Sequence, residues 1–131
     1  MKFREFTTSS GKKVLAGKNA EQNDELVKQY LGKSNKLFHT EASGSPFCII
    51  EDLKPTKKDL EETAIFCASK SQDWRDNKKD VIVHVFSGKE TYKTKGMKAG
   101  MFGVNKYKEM KVSKKKIEEF VKKSSNEEKE N

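Results

Sequence analysis

The sequence predicts an α+β fold: a single domain with a mixed or mainly antiparallel sheet of about six strands and three helices. Three observations predict it. Apolar and branched runs come in the order ββαββα, followed by further strands and a last helix. Two of the helical segments open with capping signals. The length, 131 residues, suits one domain with a short tail.

The elements follow in order. KFREFT (2–7) alternates as a strand, SSGK turns, and KVLAGK is a second strand, so 2–17 reads as a hairpin. Asn19 then offers an N-cap, with Gln22 at the capping-box position; Leu26, Val27, Tyr30 and Leu31 recur at helical spacing, and Gly32 ends the helix. Glu21, Asp24 and Glu25 sit in its first turns, where the helix dipole favours acids. KLFHTEA (36–42) and PFCIIE (46–51) are strands joined by Ser43-Gly44-Ser45; the second is continuously apolar, as in a strand covered on both faces. Thr56 and Asp59 open a second helix with a stripe of Leu60, Thr63, Ala64 and Cys67, widened by Ile65 and Phe66. DNKK (76–79) is a turn. DVIVHVF (80–86) has branched or aromatic residues on both sides and reads as a central strand. Met101–Val104 and KEMKV (108–112) are the last strands. Ser113 caps a third helix that docks through Ile117, Phe120 and Val121. The domain is placed at 1–123, and the polar SSNEEKEN (124–131) is expected to be a disordered tail.

With 33% hydrophobic and 37% charged residues, little apolar surface remains for a sticky interface once a core is filled. No apolar run approaches a membrane span and MKFREFTTSS carries no signal-peptide core, so the expectation is a soluble, cytoplasmic protein. Cys48 and Cys67 lack metal-ligand spacing and read as reduced core thiols. The net charge of +8 is concentrated: residues 78–112 hold nine basic and three acidic side chains, +6. Charge confined in this way is the footprint of a polyanion site.

That segment contains YKTKGMKAGMFG (92–103), three lysines and three glycines with no acid. Lys93, Lys95 and Lys98 suit phosphate oxygens, and Gly96, Gly100 and Gly103 let backbone approach a ligand. It is no Walker loop, because no G-x-x-x-x-G-K-[ST] occurs. A second constellation is GKNAEQND (17–24), where Asn19, Gln22 and Asn23 either cap the helix or read sugars and base edges. A third is His39 and Glu41 on one strand side, near Ser45; it invites a hydrolase reading but has no sequence support beyond proximity, and no metal cluster accompanies it.

These blocks together resemble the NFACT-R domain, the RNA-binding module of the NFACT proteins of ribosome-associated quality control. The resemblance is carried by Gly17-Lys18-Asn19-Ala20-Glu21-Gln22-Asn23-Asp24, by Leu37-Phe38-His39 with Gly44-Ser45, and by Lys93, Lys95, Gly96, Lys98 and Gly100. Pro46 stands where many members have histidine. The N-terminal NFACT domain, helix-hairpin-helix part and coiled coil of the long proteins do not fit in this chain, which looks like a stand-alone form. The resemblance implies a non-enzymatic RNA binder with no cofactor, contacting tRNA or ribosomal RNA, with the ribosome or a larger NFACT protein as further partners. Lys18, Lys89, Lys93, Lys95 and Lys98 would neutralise phosphates, Gly96 and Gly100 would shape the loop, and Asn19, Gln22, Asn23, His39 and Ser45 would line the RNA site. Rival readings are a nucleic-acid-processing enzyme using His39, a module docking on an acidic partner, and binding of duplex DNA, which the charge alone also permits.

Overall fold

The computed structural model describes residues 2–130, with side chains described over 2–125. The strands are β1 (Arg4–Thr7), β2 (Lys13–Ala16), β3 (Lys36–Thr40), β4 (Cys48–Ile50), β5 (Val81–Ser87), β6 (Thr91–Tyr92), β7 (Gly103–Val104) and β8 (Lys108–Val112). The helices are α1 (Ala20–Lys28), α2 (Lys57–Ser69), α3 (Gln72–Asn77) and α4 (Lys114–Glu130). Six strands form one sheet in the order β1-β2-β4-β3-β5-β8, and β6 and β7 make a separate two-stranded ribbon. Every pairing is antiparallel, so the mixed alternative falls away. β5 is indeed interior, flanked by β3 and β8.

Alternation along the strands builds two cores. Phe38 lies opposite Cys48 and Val85, and packs with Val14, Ile50, Val83 and Val112 under α2, α3 and α4. Leu37, one residue earlier, faces the other way with Ile49 and Phe86, beneath Leu26 and Val27 of α1, with partly buried Val104 of β7 and Phe102 just before that strand. The sheet is thus covered on both faces, which explains the continuously apolar β4. On the α1 face, His39, His84 and Glu109 continue the rows of Leu37 and Phe86 into a polar region. Cys48 and Cys67 are free and buried in the first core, as expected.

The capping box of α2 is formed in full: Asp59 N–H donates to Thr56 Oγ1 at 3.0 Å and Thr56 N–H to Asp59 Oδ2 at 2.9 Å. The same carboxylate accepts from Ser10 and Thr8 at 2.6 and 2.9 Å, tying the β1–β2 turn to the helix start.

The structure corrects several expectations. α3, a six-residue helix beside the three longer ones that were expected, takes in Asp76 and Asn77, the first half of the expected 76–79 turn; it is capped by Ser71 and carries buried Trp74, and with no apolar stripe of its own it leaves no periodic signal. α1 ends at Lys28, ahead of Gly32. α4 buries Ile117 and leans Phe120 on Phe6 and Phe66, which turns Val121 outward, 40% exposed. α4 runs to Glu130; side chains after Ser125, and residue 131, lie outside the described residues, and with them most of the segment expected as a tail beyond a domain boundary at 123. Among the described residues no helix is long and apolar enough to cross a membrane.

Candidate nucleic-acid interface

The start of α1 is fastened from several sides. Asn19 is extended and accepts Gln22 N–H at 2.9 Å, the expected N-cap. The capping box does not close on Asn19; Gln22 Oε1 instead takes the N–H of Lys18 at 3.0 Å, one residue earlier. Gln22 Nε2 donates to Lys2 O at 3.3 Å. Asn23 is buried, and its Oδ1 accepts the N–H of Phe47 at 3.1 Å. A Cβ on Gly17 would lie 2.1 Å from that same oxygen, so glycine is required there by close approach.

The lysine–glycine loop between β6 and β7 is two successive turns. Met97 N–H donates to Thr94 O at 3.1 Å and Met101 N–H to Lys98 O at 3.0 Å, so TKGM and KAGM each close with glycine third. Gly100 takes φ +79°, and a Cβ there would meet the start of α1, with Ala20 O at 3.0 Å. Asp24 is the anchor. Its Oδ1 accepts from Lys93 Nζ at 2.6 Å and from Gly100 N–H at 3.0 Å, and its Oδ2 pairs with Lys28 at 2.8 Å. Lys93 also donates to the carbonyls of Lys98 and Met101, at 2.5 and 2.8 Å, and lies 4.5 Å over the Phe102 ring. Burial pushes the Asp24 carboxyl up, but hydrogen bonds from Lys28, Lys93 and Gly100 outweigh it and hold it well below the ordinary range.

Three lysines that look alike in the sequence therefore differ. Lys93 is turned inward as the loop's fastener; Lys95 and Lys98 are exposed. Exposed Lys18 immediately precedes the helix start on which Gly100 packs, so these cations share one end of α1. Lys89 belongs to the other end: it is exposed, and its N–H bonds Lys33 O beyond the C-terminus of α1. Exposed Lys106 and Lys108, which the sequence reading did not single out, add to the same basic segment.

Asn19 and Gly96 are exposed, Gln22 and His39 half-buried, Asn23 and Ser45 buried. His39 Nδ1 lies 2.7 Å from Thr40 O, and its ring tilts on Phe47 with centroids 4.4 Å apart. Phe47 in turn meets Phe102 edge-on at 5.5 Å, so His39 connects to the loop through two aromatic rings. Burial lowers the His39 pKa and favours the neutral imidazole. Ser45 Oγ accepts Thr40 N–H at 3.1 Å and donates to Pro46 O at 3.0 Å. With both groups engaged on backbone, no Ser45–His39 hydrogen bond exists among the described residues, and the nucleophile–base pair of a hydrolase is not assembled.

His84 faces His39 across the β3–β5 pair and stacks on Tyr107 at 3.9 Å and 18°. Its Nε2 lies near Glu41 and Glu109, and these three residues could hold a metal ion. The sequence reading weighed Glu41 only beside His39 and passed over Glu109; strand register, invisible beforehand, brings the group together.

The family described as the NFACT protein RNA binding domain matches residues 2–106. A curated relative, the archaeal Rqc2 homolog aRqcH of Methanocaldococcus jannaschii, is 36% identical over 76 residues, which is 56% of this chain and 11% of that protein. A solved structure, the C-terminal part of the fibronectin/fibrinogen-binding protein from Streptococcus suis, matches with a TM-score of 0.78 at 26% identity, covering 91% of this chain and 49% of that one. The chain spans a small fraction of the curated relative and under half of the solved chain.

Proposed function

The chain belongs to the family of NFACT protein RNA-binding domains, and on that premise we propose that it binds tRNA or ribosomal RNA in ribosome-associated quality control. The reading draws on one observation above all. Lys95 and Lys98 are presented to solvent on a loop that Asp24 and Lys93 fix against the start of α1, beside exposed Lys18. Held cations meet phosphates at a smaller entropic cost than cations on a free loop. Lys95, Lys98 and Lys18 are the phosphate contacts in this proposal, Lys89 is an outlying one, and Lys93 sets the geometry. The ribosome, or a larger NFACT protein bound to it, supplies the RNA.

Fluorescence anisotropy with tRNA, single-stranded RNA and duplex DNA at several salt concentrations tests the proposal. It predicts preference for tRNA or another structured RNA, with affinity falling by about 0.7–0.9 log units per log of salt for each phosphate contact. Equal binding to all three would reduce the site to a generic polyanion surface. No binding at low salt would overturn it.

A further inference from the structure

We propose that Glu41, His84 and Glu109 form a binding site for a divalent first-row transition ion of the zinc class. His84 Nε2 is buried and has no hydrogen-bond partner among the described residues. Buried polar atoms are rarely left so without a reason. Around it stand two acceptors just beyond hydrogen-bond reach, Glu109 Oε2 at 3.6 Å and Glu41 Oε1 at 3.9 Å. All three donor atoms lie within 4.8 Å of one another.

Those separations suit an ion. Bonds of about 2.0–2.2 Å place the donors of a tetrahedral centre roughly 3.5 Å apart. Both separations to His84 Nε2 are close to that already. The remaining adjustment falls on two carboxylates whose side chains are 57% and 55% exposed and free to turn. The imidazole needs no movement. It projects from the interior strand β5 and is clamped by the Tyr107 ring. Glu109 is its direct cross-strand partner, and Glu41 is fixed at the end of β3 by its N–H to Ile82 O at 2.9 Å.

Imidazole with carboxylates favours zinc and its neighbours over magnesium or calcium, which take all-oxygen shells. Three protein donors leave a fourth position for water or another oxygen ligand. The competing account of the same geometry is an imidazole packed beside two carboxylates, without any ion. The two differ in whether the chain takes up metal, and neither depends on RNA binding.

The test is calorimetric titration of the full chain with zinc chloride, with imidazole NMR signals followed in parallel. The comparison variant carries Glu41→Gln and Glu109→Gln together; both side chains are more than half exposed, and circular dichroism checks that the fold is kept. The site predicts one zinc per chain, a zinc-dependent shift of the His84 signals, and affinity at least about tenfold weaker in the variant. Absence of uptake by the unmodified chain would overturn the proposal. So would equal affinity in the variant, which would put the ion elsewhere.

Discussion

Replacing Lys93 by methionine separates a fastening lysine from a phosphate-binding one. The substitution keeps an aliphatic stem against Phe102 and removes only the ammonium. The charge-assisted bond to Asp24 is worth about 1.5–3 kcal/mol, and the cation over Phe102 about 0.5–1 kcal/mol. The carbonyls of Lys98 and Met101 lie at the exposed edge of the loop, so water replaces the lost donor there at little cost. Asp24 is not orphaned, because Lys28 and Gly100 N–H still serve it. The expected loss in loop docking is about 2–4 kcal/mol. Because the loop can open without global unfolding, hydrogen exchange at the Gly100 amide is the direct assay. Its exchange should quicken roughly 30- to 1,000-fold. The salt slope of RNA binding should stay close to its original value while affinity falls. An unchanged Gly100 amide together with a slope reduced by one phosphate contact would refute the reasoning and return Lys93 to the exposed set.

Lys95→Ala with Lys98→Ala should do the reverse: leave denaturation unchanged and flatten the salt slope by about 1.4–1.8 log units per log of salt. Asn23→Ala leaves the buried Phe47 N–H without its acceptor and should lower unfolding free energy by about 1–3 kcal/mol in urea titration. Gly100→Ala forces an L side chain to φ +79° against Ala20 and should cost about 1–2 kcal/mol or more, read in the same experiment. The pH dependence follows from Asp59, whose carboxyl is drawn from 3.8 down to about 2 by hydrogen bonds from Ser10 and the Thr56 N–H. The folded chain binds fewer protons there than the unfolded one, so the contribution is whole above pH 3.8 and is lost as pH falls through 2. The urea midpoint should drop over that window, and Asp59→Asn should remove part of the drop.

Much of the fold is written in local pattern. Alternation and β-branching mark β5 and β8, and the paired capping residues mark α2, because each signal is complete within a few residues. α3 is the counterexample, since one buried tryptophan in six residues has no period. The site is legible as a set of motifs and hidden as a set of roles. Nothing local distinguishes Lys93 from Lys95 or Lys98; what separates them is a carboxylate 69 residues away. Asp24 itself was concealed by a sufficient explanation, since an acid early in a helix already satisfies the dipole. Asn23 looked available for ligand contact because burial depends on Gly17 and Phe47 closing around it. The Glu41–His84–Glu109 group needs the β3–β5–β8 order, which single strands do not disclose.

The link between Asp24 and the loop sets what a protein engineer can move. Lifting residues 92–103 onto another scaffold would carry the lysines and leave behind the carboxylate that folds one of them inward. The transplanted piece would then be a longer, floppier polycation, more strongly charged and less discriminating than its source. A faithful graft must bring the first two turns of α1, with Gly17 behind them, or supply a substitute acid within reach of both Lys93 and the Gly100 amide.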